Sequence, residues 1–426
     1  MLRSILLGAL LGLPSPADAV QVQQPPEPPR LLDDIRFLTD DRLQGRMTGS
    51  PGADSAAAYL ARRFSQVGLQ PAAGGWFQPF TVGGDAPAAR QAQTGAMVGR
   101  NVVGILPGRD PVLRNQTVVL GAHYDHLGHG GFGSLDPDST GMVHNGADDN
   151  ASGAAALIQV AARLAAAPPA RTVVFIAFSG EELGLFGSAY YVKQPIYPLA
   201  GTLAMVNLDM VGRLRNGRLI VYGARSAREF PALLDSLNWY AGFDLKAQGD
   251  GYGPSDHSSF YAAKRPVLHL FTDLHEDYHR TTDDWQKVNY DGLKRVADFS
   301  LGLVTALANR TRPLTFVDLP AAPPLQTAAA AGSGSPGYGA YLGTVPDMTG
   351  APGGVRLVGV RAGSPAEKAG LRGDDIITRI GGTETPDLQA MTDALRSHKP
   401  GEIVEIVVRR GAAVTTLRAT LGARGG

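Results

Sequence analysis

His123, Asp149, the pair Glu181-Glu182, Asp209 and His279 are scattered along the chain, yet all have side chains of metal-ligand type. Most follow directly on an apolar, strand-like run or lie on the loop leaving one, the place where open α/β sheets carry their ligand sites. Oxygen and nitrogen donors that include two histidines and no thiolate suit a pair of zinc ions with room for a bound water. The chemistry to expect is hydrolysis. Taken singly, each residue has a plainer explanation. Glu181 and Glu182 could be acids in the first turn of a helix after Gly180, favoured by its dipole. Asp148, Asp149 and Asn150 could cap a helix beginning near Ala151. Asp209 could be a turn residue, and His279 a solvated one. His123 and Asp125, one residue apart after a buried strand, need mutual hydrogen bonds or a metal. His126, His129 and His144 crowd a Gly-rich loop, His269 lies within a strand and His398 near the C-terminus, and none of these is expected to be a ligand.

The elements that must position these groups follow from periodicity. Spacing of Ala56, Leu60, Phe64 and Val67 predicts a helix over Asp54 to Val67, and Leu157, Val160, Ala161 and Leu164 predict another over Ala151 to Ala167, stopped by Pro168-Pro169. Strands are expected at Asn101 to Leu106, Thr117 to Leu120, Thr172 to Phe178, Leu203 to Leu208, Arg218 to Tyr222 and Pro266 to Phe271. Strands alternating with helices imply a three-layer α/β/α domain with a mixed, largely parallel sheet. From Leu319 to Pro336 the composition turns to Pro, Ala, Gly and Ser, as in a linker. Beyond it, strand-like runs at Val355 to Val360, Asp375 to Ile380 and Ile403 to Val408 surround a helix near Asp387 to Ser397, a small β-rich module. The expected divisions are 30–316 for the larger domain, 317–336 for the linker and 337–424 for the module.

The 426 residues carry 39 Lys+Arg against 39 Asp+Glu with no block of like charge, which gives no electrostatic argument for nucleic acid or an anionic membrane surface. Arg3, the apolar run Ile5 to Leu13 and the small-residue site Ala17-Asp18-Ala19 have the layout of a cleavable secretory signal over 1–19. The run is about half the ~20 residues of a spanning helix, so no stable membrane anchor is expected, and the protein is expected to be periplasmic or secreted. With no cysteine in the chain, neither disulfides nor a lipid-modified cysteine is available.

Together the segments resemble, motif by motif, the co-catalytic dizinc peptidase family that includes aminopeptidase Y, glutamate carboxypeptidase II and glutaminyl cyclase. Gly121-Ala122-His123-Tyr124-Asp125-His126, Gly146-Ala147-Asp148-Asp149-Asn150-Ala151-Ser152-Gly153, Gly180-Glu181-Glu182-Leu183-Gly184, Asn207-Leu208-Asp209-Met210-Val211-Gly212 and Tyr278-His279 are its metal segments; Gly45 to Ser50 and Ser255-Asp256-His257 extend the likeness over Leu31 to Arg310. The resemblance implies one zinc held by Asp149, Glu182 and His279 and another by His123, Asp149 and Asp209, with Asp149 rather than Asp148 the bridge. It implies that Asp125 orients His123, that Glu181 is general base toward a metal-bridging hydroxide, and that Tyr278 donates a hydrogen bond to the oxyanion. The C-terminal module resembles a PDZ domain: Ala340-Tyr341-Leu342-Gly343 is placed like a carboxylate-binding loop, and Ser364 to Leu371 with Gly373-Asp374 looks like the bacterial core of that domain. Protein C-terminal tails are the ligands this implies, a packing module with no ligand being the alternative. The reading favoured is an exported aminopeptidase acting on peptides. A carboxypeptidase, dipeptidase or related amidohydrolase would use the same zinc pair, glutaminyl cyclases work with one zinc, and a non-enzymatic reading makes the peptidase part an inert binding protein acting through its PDZ module. Ser179 and Ser258 lack the Gly-x-Ser-x-Gly elbow of a serine hydrolase.

Overall fold

In the computed structural model, residues 30–84, 95–130, 133–134, 139, 141–249, 251–318, 340–346, 353–360, 363–386 and 388–423 are described. The expected signal at 1–19 lies outside them, as does nearly all of the expected linker.

The larger domain opens with helices α1 (Leu31–Leu38) and α2 (Pro51–Gln66) and strands β1 (Gln70–Pro71), β2 (Phe77–Val82), β3 (Met97–Leu106) and β4 (Thr117–His123). It continues through α3 (Gly153–Ala166), β5 (Thr172–Phe178), α4 (Phe186–Lys193), β6 (Thr202–Leu208), β7 (Arg218–Tyr222), α5 (Phe230–Ala241), β8 (Asp244–Gln248), α6 (His257–Ala262), β9 (Val267–Phe271) and α7 (Tyr290–Asn309). α2 starts three residues before its apolar period because the Ser50 side chain accepts from Ala53 N and Pro51 takes a first-turn position. α3 starts two residues later than its period suggests, since Ala147–Ser152 form an irregular turn instead. α5 and α7 lie outside the expected elements. α7 is capped by Asn289 and buries Leu293, Val296, Ala297, Leu303, Val304 and Leu307 along one face.

Nine strands form one sheet in the order β1-β3-β5-β4-β6-β9-β7-β8, with β2 also on β3. The centre, β5-β4-β6-β9, is parallel. The flanks join it antiparallel, β3 on β5 and β7 on β9, a change of direction that strand composition does not encode. β5, Thr-Val-Val-Phe-Ile-Ala-Phe, is buried on both sides, as β-branched and aromatic runs in central parallel strands are. Its side chains alternate: Val173, Phe175 and Ala177 join the core made with α1, α2, α3, α5 and α7, whereas Val174, Ile176 and Phe178 join the core containing Tyr191, Phe260 and Tyr261 of α4 and α6. That division gives the three layers. In consequence β4, β5, β6 and β9 all end on one edge of the sheet; His123, Glu181 and Asp209 lie at or within three residues of the ends of the first three, and His279 lies eight residues beyond β9.

The smaller domain comprises β10 (Ala340–Tyr341), β11 (Thr344–Pro346), β12 (Val355–Val360), α8 (Pro365–Lys368), β13 (Ile376–Ile380), β14 (Thr383–Glu384), α9 (Leu388–Ser397), β15 (Ile403–Arg410), β16 (Ala413–Thr420) and β17 (Gly422–Ala423). Its strands pair antiparallel around a separate core of Leu342, Leu357, Ala366, Ile377, Ile380, Ile406 and Val408. Among the described residues no helix is long and apolar enough to cross a membrane.

Phe178 is fully buried, and its ring meets Phe260 at 6.2 Å between centroids, clamping α6 onto the sheet. Phe178→Ala is expected to cost about 3–5 kcal/mol of stability, read as a lowered midpoint in urea denaturation.

Candidate metal centre

His123 is the last residue of β4, and its Nε2 lies 3.2 Å from Asp149 Oδ1 and 3.3 Å from Asp209 Oδ1. His279 approaches from the opposite side, with Nε2 3.1 Å from Asp149 Oδ2 and 3.2 Å from Glu182 Oε2. Asp149 therefore gives one carboxylate oxygen to each of two imidazole–carboxylate groups. Donors 2.0–2.1 Å from a tetrahedral zinc sit about 3.3 Å from one another, and each imidazole-to-carboxylate separation here is of that size. His123, Asp149 and Asp209 form one set of ligand atoms all within 4.8 Å of one another, and His126, Asp149 and Glu182 form another. Two imidazoles thus stand beside the Asp149–Glu182 pair. His279 reaches both carboxylates through one nitrogen, as a shared ligand position requires, whereas His126 makes its hydrogen-bond contact with Glu182, Nδ1 to Oε1 at 2.7 Å.

Charge explains the titration of the group. Burial opposes ionisation everywhere, but His123 and His279 are held protonated well above the ordinary histidine range, His123 chiefly by Asp209 and Glu181 and His279 by Glu182 and Asp149. Asp149 is held well below its usual value by His123 and His279 despite its burial, and Glu182, against burial and the Asp149 charge, is brought to about 2 by His279 and His126. Glu181 goes the other way. Burial, then Asp209, Glu182 and Asp256, push its carboxyl well above the glutamate range, and its Oε2 stays 4.0 Å from His123 Nε2. At that distance it stands outside the two close groups, although His123, Glu181 and Glu182 also place ligand atoms within 4.8 Å of one another, and its raised pKa suits it to a proton-transfer role.

A second tier of hydrogen bonds fixes the geometry. Asp209 Oδ2 accepts from Ser255 Oγ at 2.7 Å, and that hydroxyl in turn accepts from Asn207 Nδ2 at 2.8 Å, which leaves Oδ1 for the His123 side. Asn150 couples two loops: its Oδ1 accepts from Gly153 N and Met210 N, and its Nδ2 donates to Leu208 O. Asp283 Oδ2 accepts from the amides of Asp148 and Asp149 at 2.9 and 3.1 Å. Asp125 meets His123 through its main-chain carbonyl more closely than through its carboxylate. His123 Nδ1 donates to the Asp125 carbonyl at 3.1 Å, while the carboxylate, 3.8 Å from that nitrogen, accepts from Thr48 Oγ1 at 2.9 Å and from Glu181 N at 3.3 Å. The carboxylate thereby tethers the Glu181 turn, and Thr48 fastens the same turn by accepting from Gly180 N.

Below the loops Arg46, 1 % exposed, donates to the carbonyls of Tyr124, Asn145, Gly146 and Leu38. Burial draws its pKa down to about 10 against the pull of Asp125, Asp149, Asp283 and Glu182, so it remains a cation at neutral pH. Gly146 has φ 53°, and a Cβ there would lie 2.1 Å from Asp149 O and 2.5 Å from the His126 ring, so only glycine fits.

Asp148 faces away: Oδ1 accepts from Gly212 N at 2.6 Å and from Ser152 Oγ, and Oδ2 meets His275 Nε2 at 3.1 Å. Tyr278 stacks on His279 at 3.9 Å between ring centroids. His279 Nδ1 donates to Gly133 O at 2.7 Å, so the Gly-rich insert supplies a support for this ring. His126 and His275 are the site residues that sequence reasoning missed. Their signal was proximity, one flanking Asp125 and the other four residues before His279, but neither spacing says where a ring points. His269, buried beside His257, has its pKa lowered to about 4 by burial, and His144 meets Ser134 and Ser139 in the insert. His129 lies on Gly141 O, and His398 pairs with Glu402 in the smaller domain.

Residues 101–304 match the model of peptidase family M28, and residues 340–421 match that of a PDZ domain. Leupeptin-inactivating enzyme 1 of Streptomyces exfoliatus is 27 % identical over 287 residues, 65 % of this chain and 56 % of its own length. Aminopeptidase YwaD of Bacillus subtilis is 28 % identical over 228 residues, 51 % of this chain and 47 % of its own. The chain spans about half the length of the curated relatives it matches. Among solved structures, a Zn-dependent exopeptidase from Parabacteroides distasonis superposes with a TM-score of 0.55 at 20 % identity, covering 67 % of this chain and all of that one. An aminopeptidase from Aneurinibacillus superposes with a TM-score of 0.52 at 20 % identity, covering 68 % and 95 %. At such identity the likeness is one of fold.

Two outcomes test this network. Ser255→Ala removes the donor that turns Asp209, and the affinity for zinc in a chelator-competition titration should fall about 10- to 100-fold. Asp277 accepts from Arg213 and Thr282, both at 2.6 Å, and from Lys287; against its burial, Lys287 first and then Thr282 and Arg213 bring its pKa to about 2. A depressed carboxyl stabilises above its unfolded pKa of about 3.9. The stability advantage over Asp277→Asn should therefore be full at pH 5 and vanish as pH falls through about 2, measured by denaturation at each pH.

Proposed function

From the premise that the larger domain of this chain belongs to peptidase family M28 and the smaller one is a PDZ domain, we propose an exported, zinc-dependent aminopeptidase that removes N-terminal residues from peptides. The observation that carries this reading is the division of Asp149, one oxygen 3.2 Å from His123 and the other 3.1 Å from His279, with the Glu181 carboxyl beside the pair and outside both halves. Two zinc ions held by His123, Asp149 and Asp209 and by His279, Asp149 and Glu182 would supply Lewis acidity toward a scissile carbonyl and make a nearby water acidic. Glu181 takes the proton of the attacking water and delivers it to the leaving amine; burial and the neighbouring Asp209, Glu182 and Asp256 raise its pKa, which favours its holding the proton between the two steps. Tyr278, stacked against His279, donates a hydrogen bond to the carbonyl oxygen as charge develops there. The Asp125 and Thr48 contacts hold the Glu181 turn so that its carboxyl stays aimed between the two halves.

The PDZ domain takes the C-terminal tail of a protein as an added strand. Support for this comes from the match of residues 340–421 to the model of a PDZ domain. Export rests on the residue pattern of 1–19.

The test is a panel of aminoacyl and N-blocked peptide substrates with metal analysis of the mature protein. The expected result is two zinc ions per chain, cleavage that requires a free N-terminus, and a loss of about 10²- to 10⁴-fold in kcat for Glu181→Gln with both metals retained. Cleavage of blocked substrates would move the activity to a carboxypeptidase or amidohydrolase.

A further inference from the structure

Each of the two outer carboxylates of the centre is split between an imidazole and a protein donor. Asp209 gives Oδ1 to His123 and Oδ2 to Ser255 Oγ, 2.7 Å away. Glu182 gives Oε2 to His279 and Oε1 to His126 Nδ1, 2.7 Å away. We infer that His126 is a positioning residue of the zinc centre, which by holding Oε1 of Glu182 presents Oε2 as a single-oxygen ligand beside His279. The inference rests on the zinc-centre reading given above.

The physical need is greater at Glu182 than at Asp209. A glutamate side chain has one more rotatable bond than an aspartate, and fixing it costs up to about 2 kcal/mol of rotamer entropy. Glu182 also sits on a turn rather than at a strand end, so its backbone does less to aim it. A charge-assisted hydrogen bond to one oxygen removes that freedom and disfavours two-oxygen binding of a cation. His126 is itself immobile enough for the task. Its side chain is fully buried, its amide donates to Arg46 O at 3.3 Å, and its ring lies where a Cβ on Gly146 would approach within 2.5 Å. It also stands edge-on to His279, with ring centroids 5.9 Å apart at 76°.

The competing role is direct ligation, since His126, Asp149 and Glu182 place donor atoms within 4.8 Å of one another. One nitrogen cannot both donate to Glu182 and bind a cation, and Nδ1 is the atom committed to Glu182. The other nitrogen, Nε2, is buried without a hydrogen-bond partner among the described residues. His279 already meets both carboxylates through a single nitrogen, which completes that half without a third imidazole.

The experiment compares the full-length mature protein with His126→Ala and His126→Asn, the latter retaining an N–H near the Nδ1 position. Zinc is titrated calorimetrically into the chelator-treated proteins, and the number of imidazoles per two zinc ions is read by X-ray absorption spectroscopy. The expected result is two zinc ions in the wild type, one of them bound about 10- to 100-fold more weakly in His126→Ala with the other unchanged, recovery to within a few-fold in His126→Asn, and two imidazoles per zinc pair in both wild type and His126→Asn. If His126→Ala does not fold, His126→Asn and the imidazole count decide. Unchanged affinity for both ions in His126→Ala, or three imidazoles in the wild type falling to two in His126→Asn, would overturn the positioning role and leave the zinc centre standing. Fewer than two zinc ions in the wild type would overturn both.

Discussion

The carboxylates of Asp149, Glu182 and Asp209 are little exposed and converge on His123 and His279, and the repulsion among them is the constraint around which the rest of the larger domain is arranged. Like charges removed from water are tolerated only where cations and donors face them. Here the complement comes in layers: two imidazoles in contact, the Ser255 and His126 donors behind them, amides aimed by Asn150 and Asp283, and the Arg46 guanidinium beneath. An assembly with so much convergent negative charge is a place for divalent cations, and the site chemistry is a consequence of solving that charge problem.

The sheet makes the assembly possible. Because β4, β5, β6 and β9 run parallel at its centre, their C-terminal ends share an edge, and segments distant in sequence meet there. The two antiparallel joins to β3 and β7 lie outside this region. They widen the platform without disturbing the loops that carry ligands. The alternation within β5, with Phe175 to one core and Phe178 to the other, keeps the platform rigid between two helical layers.

Much of this was legible from residue type and position. A polar ligand directly after an apolar run is uncommon unless it has a task, and that rule brought out His123, Asp209 and the Glu181-Glu182 pair. Other choices were not decidable locally. Asp148 and Asp149 are chemically identical neighbours, and what sorts them is the Gly212 amide, His275 and Asp283, all distant in sequence. The direction of the His126 ring depends on the backbone of Gly146, twenty residues away, where no Cβ intrudes. Asp125 was legible as a partner of His123, but only the fold shows that its carbonyl faces His123 while its carboxylate holds Glu181. Helix ends shifted by two or three residues where a side-chain cap or an irregular turn outranked the apolar period.

The reach of Arg46 bears on the order in which the molecule is made. Its donors join Leu38, Tyr124, Asn145 and Gly146, and the ligand segments beyond them extend to His279, so no short stretch of nascent chain contains even half of the centre. Loop-closure entropy must be overcome across the 86 residues from His123 to Asp209 before the first complete set of donors exists, and farther still for the set that includes His279. Metal capture is therefore a late, cooperative event tied to global folding. A chain still unfolded offers zinc only isolated weak donors and lacks its catalytic centre until the whole domain has closed.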